Sequence, residues 1–241
     1  METLNSRTEL LLGKETVKKI SEQKIIIFGL GGVGSWAAEG LVRSGFEHVT
    51  LVDADKITVT NLNRQLPALT STIGEFKADV LRKRLLDINP KAEIIAMNDI
   101  FNKENAENFH LETFDVIIDA IDSLTDKAEL ILTACKTEAY FISSMGAALK
   151  LDPLKIQIAE FWKVNGCPLA RALRQKFKRH KTFPAKKFQC VFSDELLENK
   201  EVDNQEELKF NKAKINGSMV HITAVFGFFI VGEVIKNFGY I

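Results

Sequence analysis

"IIIFGLGGVGSWAAE", residues 25–39, carries an apolar run directly into four glycines and then into an amphipathic stretch. Gly29, Gly31 and Gly34 have the GxGxxG spacing, and Gly32 adds a further position without a side chain. A strand that ends in such a loop and opens a helix brings unpaired backbone N–H groups and the positive end of the helix dipole up to a phosphate. A dinucleotide and ATP both offer that phosphate, so the stretch points to a nucleotide-binding α/β fold and leaves the ligand open. About twenty residues further on, "HVTLVDAD" (48–55) ends a second strand at Asp53, where a carboxylate accepts hydrogen bonds from ribose hydroxyls.

Working outward, apolar runs alternate with amphipathic stretches through residue 150. The runs predict strands at 24–29, 48–53, 93–98, 114–119 and 140–144, with helices near 33–44, 75–87, 103–110 and 125–138. Right-handed crossovers between such elements build a doubly wound, mainly parallel, Rossmann-like sheet with ligands at the C-terminal ends of its strands. Beyond Lys150 the pattern changes. "LKIQIAEFW" and "FQCVFS" read as strands of a C-terminal extension with antiparallel pairing, and the dense apolar tail from about Asn216 reads as a helix closing the core. The expected division is a nucleotide-binding core over 1–150 and a C-terminal part of the same domain over 151–241, with a basic insert at 161–193.

The chain has 241 residues, 46% of them apolar, and 32 basic side chains balance 32 acidic ones. That zero total conceals a local asymmetry. Residues 161–193 hold nine Lys or Arg and no Asp or Glu, with Phe177 and Phe183 among them, and "DELLENKEVDNQEE" (194–207) follows as an acidic run. Clustered cations suit a phosphate-rich partner. The three cysteines, Cys135, Cys167 and Cys190, form no CxxC pair, which argues against a zinc site or a disulfide framework and fits the reducing cytoplasm. The N-terminal stretch lacks the pattern of a signal peptide. "MVHITAVFGFFIVGEVI" (219–235) is short for a membrane span and carries His221 and Glu233, so burial in the core is the expected use and membrane association is not.

The choice between ATP and a nicotinamide dinucleotide turns on the residues after Asp53. "KITVTNLNRQLPALTSTIGEFKADVLRKRLLDINP" supplies Asn61, Arg64 and Lys77, which a hydride-transfer enzyme does not need. Attack of a carboxylate on the α-phosphorus of ATP builds negative charge on phosphate oxygens and on departing pyrophosphate, and fixed cations aimed there lower the barrier. Arg grips two oxygens at once and Lys acts as a point charge. "FDVIIDAIDS" then brings Asp119 and Asp122 to the end of the fourth strand. Asp122 is the better candidate for holding Mg2+ beside ATP, and Asp119 reads as a local cap or pairing partner.

Taken in order, "RTELLLG", "GLGGVGSWAAE", "DADKITVTNLNRQ", "GEFKADV", "INP" and "DAIDS" resemble the adenylating domain of the ubiquitin-activating-enzyme-like superfamily, over about residues 7–150. "GFEHVTLVDAD", "DAIDSLTDKAELI", "LDPLKIQIAEF", "PLARALR", "CVFS" and "GSMVHITAVFGFF" are similar to the subgroup that acts on threonylcarbamoyladenosine in tRNA, and they extend the resemblance through the second half. It implies a homodimer without zinc, in which ATP adenylates the threonylcarbamoyl carboxylate on a tRNA adenosine next to the anticodon and ring closure expels AMP. By position it assigns Asp53 to the ribose, Asn61, Arg64 and Lys77 to the phosphates, and Asp122 to magnesium. Arg7 would reach the partner subunit's ATP site.

Within the same superfamily the alternative is activation of a sulfur-carrier, ubiquitin-like protein, whose enzymes often add a reactive cysteine or a CxxC pair. A nicotinamide oxidoreductase and a non-catalytic RNA-binding scaffold are the readings from other classes. Cys167 departs from the subgroup, where an acidic residue is expected. Between Gly166 and Pro168 it reads as an exposed thiol, open to a sulfur-transfer protein partner or else a plain substitution. With a tRNA substrate the basic insert gains a use, and Arg171, Arg174, Lys178 and Arg179 are its RNA-binding candidates, the first three aligned on one face if a helix forms.

Overall fold

A computed structural model describes residues 3–200 and 216–239. Its frame is a seven-stranded sheet in the order β3-β2-β1-β4-β5-β7-β6. The strands are β1 (Lys24–Phe28), β2 (His48–Val52), β3 (Glu93–Met97), β4 (Val116–Asp119), β5 (Tyr140–Ser144), β6 (Ile156–Glu160) and β7 (Gln189–Ser193). β1 to β5 and β7 run parallel, and β6 alone turns back antiparallel along β7. The chain builds outward from β1 to β3 and then returns to the other side of β1 with β4. That reversal leaves a crevice at the C-terminal ends of β1 and β4, where doubly wound sheets take their ligands.

All four residues of β4 are buried, as are Ile25 to Phe28 of β1. Such strands read as continuous apolar runs because helices cover both faces of the sheet. Alternate residues serve opposite cores. Ile25 and Ile27 pack on one side, and Ile26 and Phe28 on the other.

On the first face lie α2 (Lys14–Ser21), α3 (Gly34–Arg43), α4 (Lys77–Ile88) and α7 (Val220–Gly239), with α1 (Ser6–Leu12) packed on α2. In α7, Ile222, Phe226, Ile230 and Val234 recur every fourth residue and are wholly buried. This spacing places them on one stripe of the helix, against α3 and α2. By length and composition α7 would span a membrane, yet its apolar density follows from closing this core. α3 also carries a buried carboxylate, Glu39, gripped by Arg43 at 2.8 Å and by Arg84 of α4 at 2.5 Å. Burial pushes its carboxyl up, and the hydrogen bonds and charges of the two guanidiniums outweigh that and hold it below its ordinary value.

The opposite face carries α5 (Leu124–Ala134) and α6 (Pro168–His180). Ala170, Leu173 and Phe177 of α6 point inward among Phe161, Phe188 and Phe192. Two contacts orient this helix. A Cβ at Gly146, just past β5, would touch the Leu169 side chain at 3.9 Å, and one at Gly166 would collide with Asp194, just past β7. Below its C-terminus, the Lys186 ammonium donates to the Thr137 and Ala139 carbonyls that precede β5, the former at 2.7 Å. α6 therefore starts at the ligand edge of the sheet and runs toward the far edge.

Some elements differ from expectation. The helix expected over 103–110 is a short 3-10 turn, Ala106–Phe109. Asn102 and Asn105 capture the backbone amides that would have started a helix, and His110 ends the turn in the left-handed region. α5 stops at Ala134, where the Thr137 hydroxyl takes the Ala134 carbonyl. α4 begins at Lys77, because Glu75 and Phe76 pair with the 56–57 segment. α1 and α2 were not anticipated, and residues 201–207 of the acidic run lie outside the described residues.

Candidate functional site

The glycine loop occupies the crevice. Gly29 leaves β1 with φ +87°, and a Cβ there would stand 2.7 Å from the Ala120 carbonyl oxygen beyond β4. A Cβ at Gly34 would come within 1.9 Å of the Gly29 carbonyl oxygen, so the first turn of α3 can close on the loop only without a side chain. Gly31 and Gly32 stand between them, half-buried.

Asp53 ties this loop to β2. Its Oδ2 accepts the Leu30 amide at 2.6 Å and its Oδ1 the Asp55 amide at 2.8 Å. Burial pushes its carboxyl above the ordinary value, against the pull of Lys77 and those two amides. Lys77 opens α4 and is 5% exposed, its ammonium 2.7 Å from Asp55 and 3.9 Å from Asp53. The Asp55 side chain is 71% exposed, so this buried cation is compensated from the rim. Little water screens it, so its attraction to these carboxylates, and to an anion brought beside it, is stronger than at the surface.

Asn61 and Arg64 stand on the turn between β2 and α4. The Asn61 Oδ1 accepts the Thr58 amide at 3.1 Å, which caps the short 3-10 helix Val59–Asn61. Arg64 donates through Nη1 to the Thr60 carbonyl and to Asn63 Oδ1, both at 2.9 Å. Two acceptors thus fix its guanidinium, while Nε and Nη2 remain without partners among the described residues. Trp36 of α3 holds the same turn, donating to the Arg64 carbonyl at 3.2 Å.

At the end of β4 the two aspartates part. Asp119 is wholly buried with Lys127 of α5, whose ammonium lies 2.8 Å away, and it accepts the Ser143 hydroxyl at 2.6 Å and the Ile121 amide at 3.0 Å. This is the local pairing expected of it. Asp122 is exposed, with no hydrogen bond or ion pair among the described residues. No cluster of three metal-ligating side chains occurs among those residues. One exposed carboxylate beside the glycine loop still fits Mg2+, which keeps several waters and would take its other ligands from a bound phosphate.

Other candidates stand apart. Arg7 is exposed on α1 and pairs with nothing among the described residues. Along α6, Arg171 lies in the first turns near the ligand edge, while Lys178 and Arg179 lie about 10 Å down the axis. Arg174 is half-buried. Its Nη1 donates to the Phe161 carbonyl at 3.0 Å, and its guanidinium lies over the Phe161 ring at 5.8 Å.

Cys167 corrects an expectation. It is 2% exposed and belongs to the apolar core beneath α6, because Gly166 turns the chain in against Asp194. The other two cysteines are core residues as expected, and burial pushes the Cys135 thiol up to about 11 and Cys190 well above its ordinary value. All three thiols are expected to resist iodoacetamide at neutral pH in the folded protein and to react together on unfolding. Mass spectrometry of the alkylated protein checks this, and rapid native labelling of Cys167 would contradict its burial.

Three contributors carried no sequence signal that singled them out. Lys127 looked like one more helix cation, and only the β4–α5 packing puts it under Asp119. Thr223 of α7 sits where a Cβ at Gly32 would touch it at 3.0 Å, so the closing helix also walls the glycine loop. Gln65 is 7% exposed beside Gly31, with its Oε1 buried and without a partner among the described residues.

Comparison with known proteins agrees with this fold. The ThiF family model matches residues 5–239. A tRNA threonylcarbamoyladenosine dehydratase of Bacillus subtilis is 40% identical over 239 residues, covering 96% of this chain and 93% of that protein. Among solved structures, E. coli tRNA N6-threonylcarbamoyladenosine dehydratase in complex with ATP superposes with a TM-score of 0.84 at 33% identity, covering 96% of this chain and 92% of that one. The same enzyme in complex with AMP gives a TM-score of 0.85.

Proposed function

The chain belongs to the ThiF family, and from that premise we propose that it catalyses the ATP-dependent dehydration of threonylcarbamoyladenosine in tRNA. The observation that carries this reading is a glycine loop that closes only because Gly29 and Gly34 lack side chains, with a buried cation, Lys77, and a fixed one, Arg64, on the elements beside it and the exposed Asp122 carboxylate just past β4.

A carboxylate is a poor electrophile. Its oxygen attacks the α-phosphorus of ATP and expels pyrophosphate, which leaves an acyl-adenylate. A nitrogen already tethered in the substrate then attacks the acyl carbon and expels AMP, and the proximity of the two groups replaces an enzyme nucleophile. The lost water oxygen leaves in AMP. No cysteine is required, which is consistent with three buried thiols.

Each residue has a role in this scheme. Backbone amides of Gly31 and Gly32 and the start of α3 receive the phosphates. Asp53 takes the ribose hydroxyls, and Asn61, Arg64 and Lys77 meet the phosphate oxygens. Lys77 and Arg64 oppose the charge that grows as pyrophosphate departs. Asp122 would hold Mg2+, which supplies further charge neutralisation when bound. Arg7 acts across a homodimer in this reading. Its helix presents Leu10 and Leu11 at 89% and 84% exposure, an apolar pair that a second copy would cover. The basic insert favours tRNA over a sulfur-carrier protein, and the expected setting is the cytoplasm.

The deciding experiment incubates threonylcarbamoylated tRNA with the protein, ATP and magnesium, then weighs the nucleosides by mass spectrometry. Loss of one water from the modified adenosine is the expected result. Unchanged mass alongside ATP consumption driven by a Gly-Gly-tailed carrier protein would overturn it.

The orientation of α6 ranks the RNA contacts. Arg171→Glu is expected to weaken tRNA binding and to lower the slope of log affinity against log salt by about one or more. Arg174→Glu should also lower the melting temperature, since its guanidinium holds the Phe161 turn. Filter binding over a salt series checks the first, and an unaltered slope would remove Arg171 from the RNA surface.

A further inference from the structure

The far end of α6 carries a surface that the adenylation chemistry does not use. Trp162 and Phe183 are 40% and 52% exposed, and their ring centroids lie 6.1 Å apart at 48°. Phe161 backs Trp162 edge-on at 5.2 Å and is itself stacked on Phe188 at 5.0 Å, so the indole stands on a rigid aromatic base. Phe177, the other aromatic of the insert, is buried and belongs to the core.

The surroundings are cationic. Lys163 follows Trp162, Lys181 precedes Phe183 by two positions, and Arg179 and Lys187 flank the same turn, all four exposed. Glu160 is the nearest acid in sequence. It is turned inward, its Oε2 accepting the Trp162 amide at 3.2 Å and its Oε1 buried. The fold locates this end of the insert. Glu160 pairs with Gln189 at the start of β7, and Phe161 donates its amide to the Phe188 carbonyl at 3.1 Å. The aromatic pair is therefore at the N-terminal edge of the sheet, opposite the glycine loop. One strand length and three strand spacings separate the two, a distance on the order of 20 Å.

Exposed rings held rigidly among cations are the elements of a single-stranded nucleic-acid platform, in which rings stack on bases while ammonium and guanidinium groups track the backbone. We propose that Trp162 and Phe183 stack on unpaired bases of the RNA substrate, forming a second contact remote from the adenylation site. The inference rests on the reading of tRNA as substrate. It divides the insert by function. Arg171, at the ligand edge, meets the RNA near the reacting adenosine, and the aromatic end grips a more distant part of the same molecule.

The test compares wild type, Trp162→Ala/Phe183→Ala, Trp162→Tyr/Phe183→Tyr and Arg171→Glu for affinity toward an anticodon-arm RNA over a salt series, with melting temperatures and ATP affinity as controls. Loss of stacking is expected to weaken RNA binding about tenfold or more in the double alanine variant. Its salt slope should match wild type, ATP affinity should not change, and the tyrosine pair should restore binding. Unchanged RNA affinity in the double alanine variant, with Arg171→Glu still weakened, would overturn the platform and leave the tRNA reading intact. No RNA binding by wild type would remove both. A double alanine variant with altered sedimentation and unaltered RNA affinity would make this face a contact between copies and would also overturn the proposal.

Discussion

Lys77→Ala is expected to lower the rate of AMP formation on threonylcarbamoylated tRNA by about 100- to 1,000-fold, the usual loss when one preorganised group opposing transition-state charge is removed. Lys77 is 5% exposed, and its ammonium is anchored at 2.7 Å to a carboxylate on the rim. Its charge is thus already desolvated and aimed before substrate arrives, so no reorganisation is needed during the reaction. The loss should fall on kcat more than on KM, because the charge it opposes is largest as pyrophosphate leaves. Removing it also leaves Asp53 with less compensation. Single-turnover AMP release, read together with circular dichroism and ATP binding, separates the chemical effect from any loosening of the fold. Turnover within a few-fold of wild type in a folded variant would remove Lys77 from the chemistry.

The second large effect concerns stability. Lys127→Ala strands Asp119, which is wholly buried and, among the described residues, keeps the Ser143 hydroxyl and the Ile121 amide as partners. Breaking one side of a buried pair costs about 3–5 kcal/mol. For a chain of this size each kcal/mol lowers the melting temperature by about 2–4 °C, so a fall of about 6–20 °C is expected by calorimetry. Asp119→Asn combined with Lys127→Met should recover part of it, because no uncompensated charge is then left inside. A melting temperature within two or three degrees of wild type in Lys127→Ala, a margin of about 1 kcal/mol, would show that the pair contributes little. The same ammonium donates to the Ile121 carbonyl at 2.9 Å, one residue before Asp122. Loosening that contact should raise the magnesium concentration needed for half-maximal turnover.

Much of the frame was legible because parallel strands buried on both faces must be apolar throughout. β1 and β4 announce themselves as short runs of Val, Ile and Phe, β2 and β5 as shorter apolar stretches broken by Thr50 and ended by Ser143 and Ser144, and the glycines after β1 mark the turn into α3. The resemblance added Arg7, to which no local pattern gave a role, whereas Asn61, Arg64, Lys77 and Asp122 stood out by residue type and by their places after β2 and β4. Elements set by single side chains were harder to read. The 103–110 segment has helical composition, yet two asparagines capture its amides and leave one short turn. Cys167 looked exposed because Gly166 and Pro168 usually mark a surface turn. Here the glycine lets the chain pass under Asp194 and delivers the thiol to the core.

By itself the amino-acid sequence determined the sheet, the glycine loop after β1 and the charged residues after β2, because periodicity and glycine spacing act over a few neighbouring positions. Only the tertiary structure decided which charges remain available. Asp119 and Asp122 are three residues apart in the chain, yet one is wholly buried against Lys127 and the other stands free at the crevice. Arg171, Arg174 and Lys178 share a helix, yet one is exposed near the ligand edge, one is engaged with Phe161 and one lies toward the opposite edge. Burial and partnership are set by residues far away in sequence, and they determine whether a charge holds the fold together or meets a substrate.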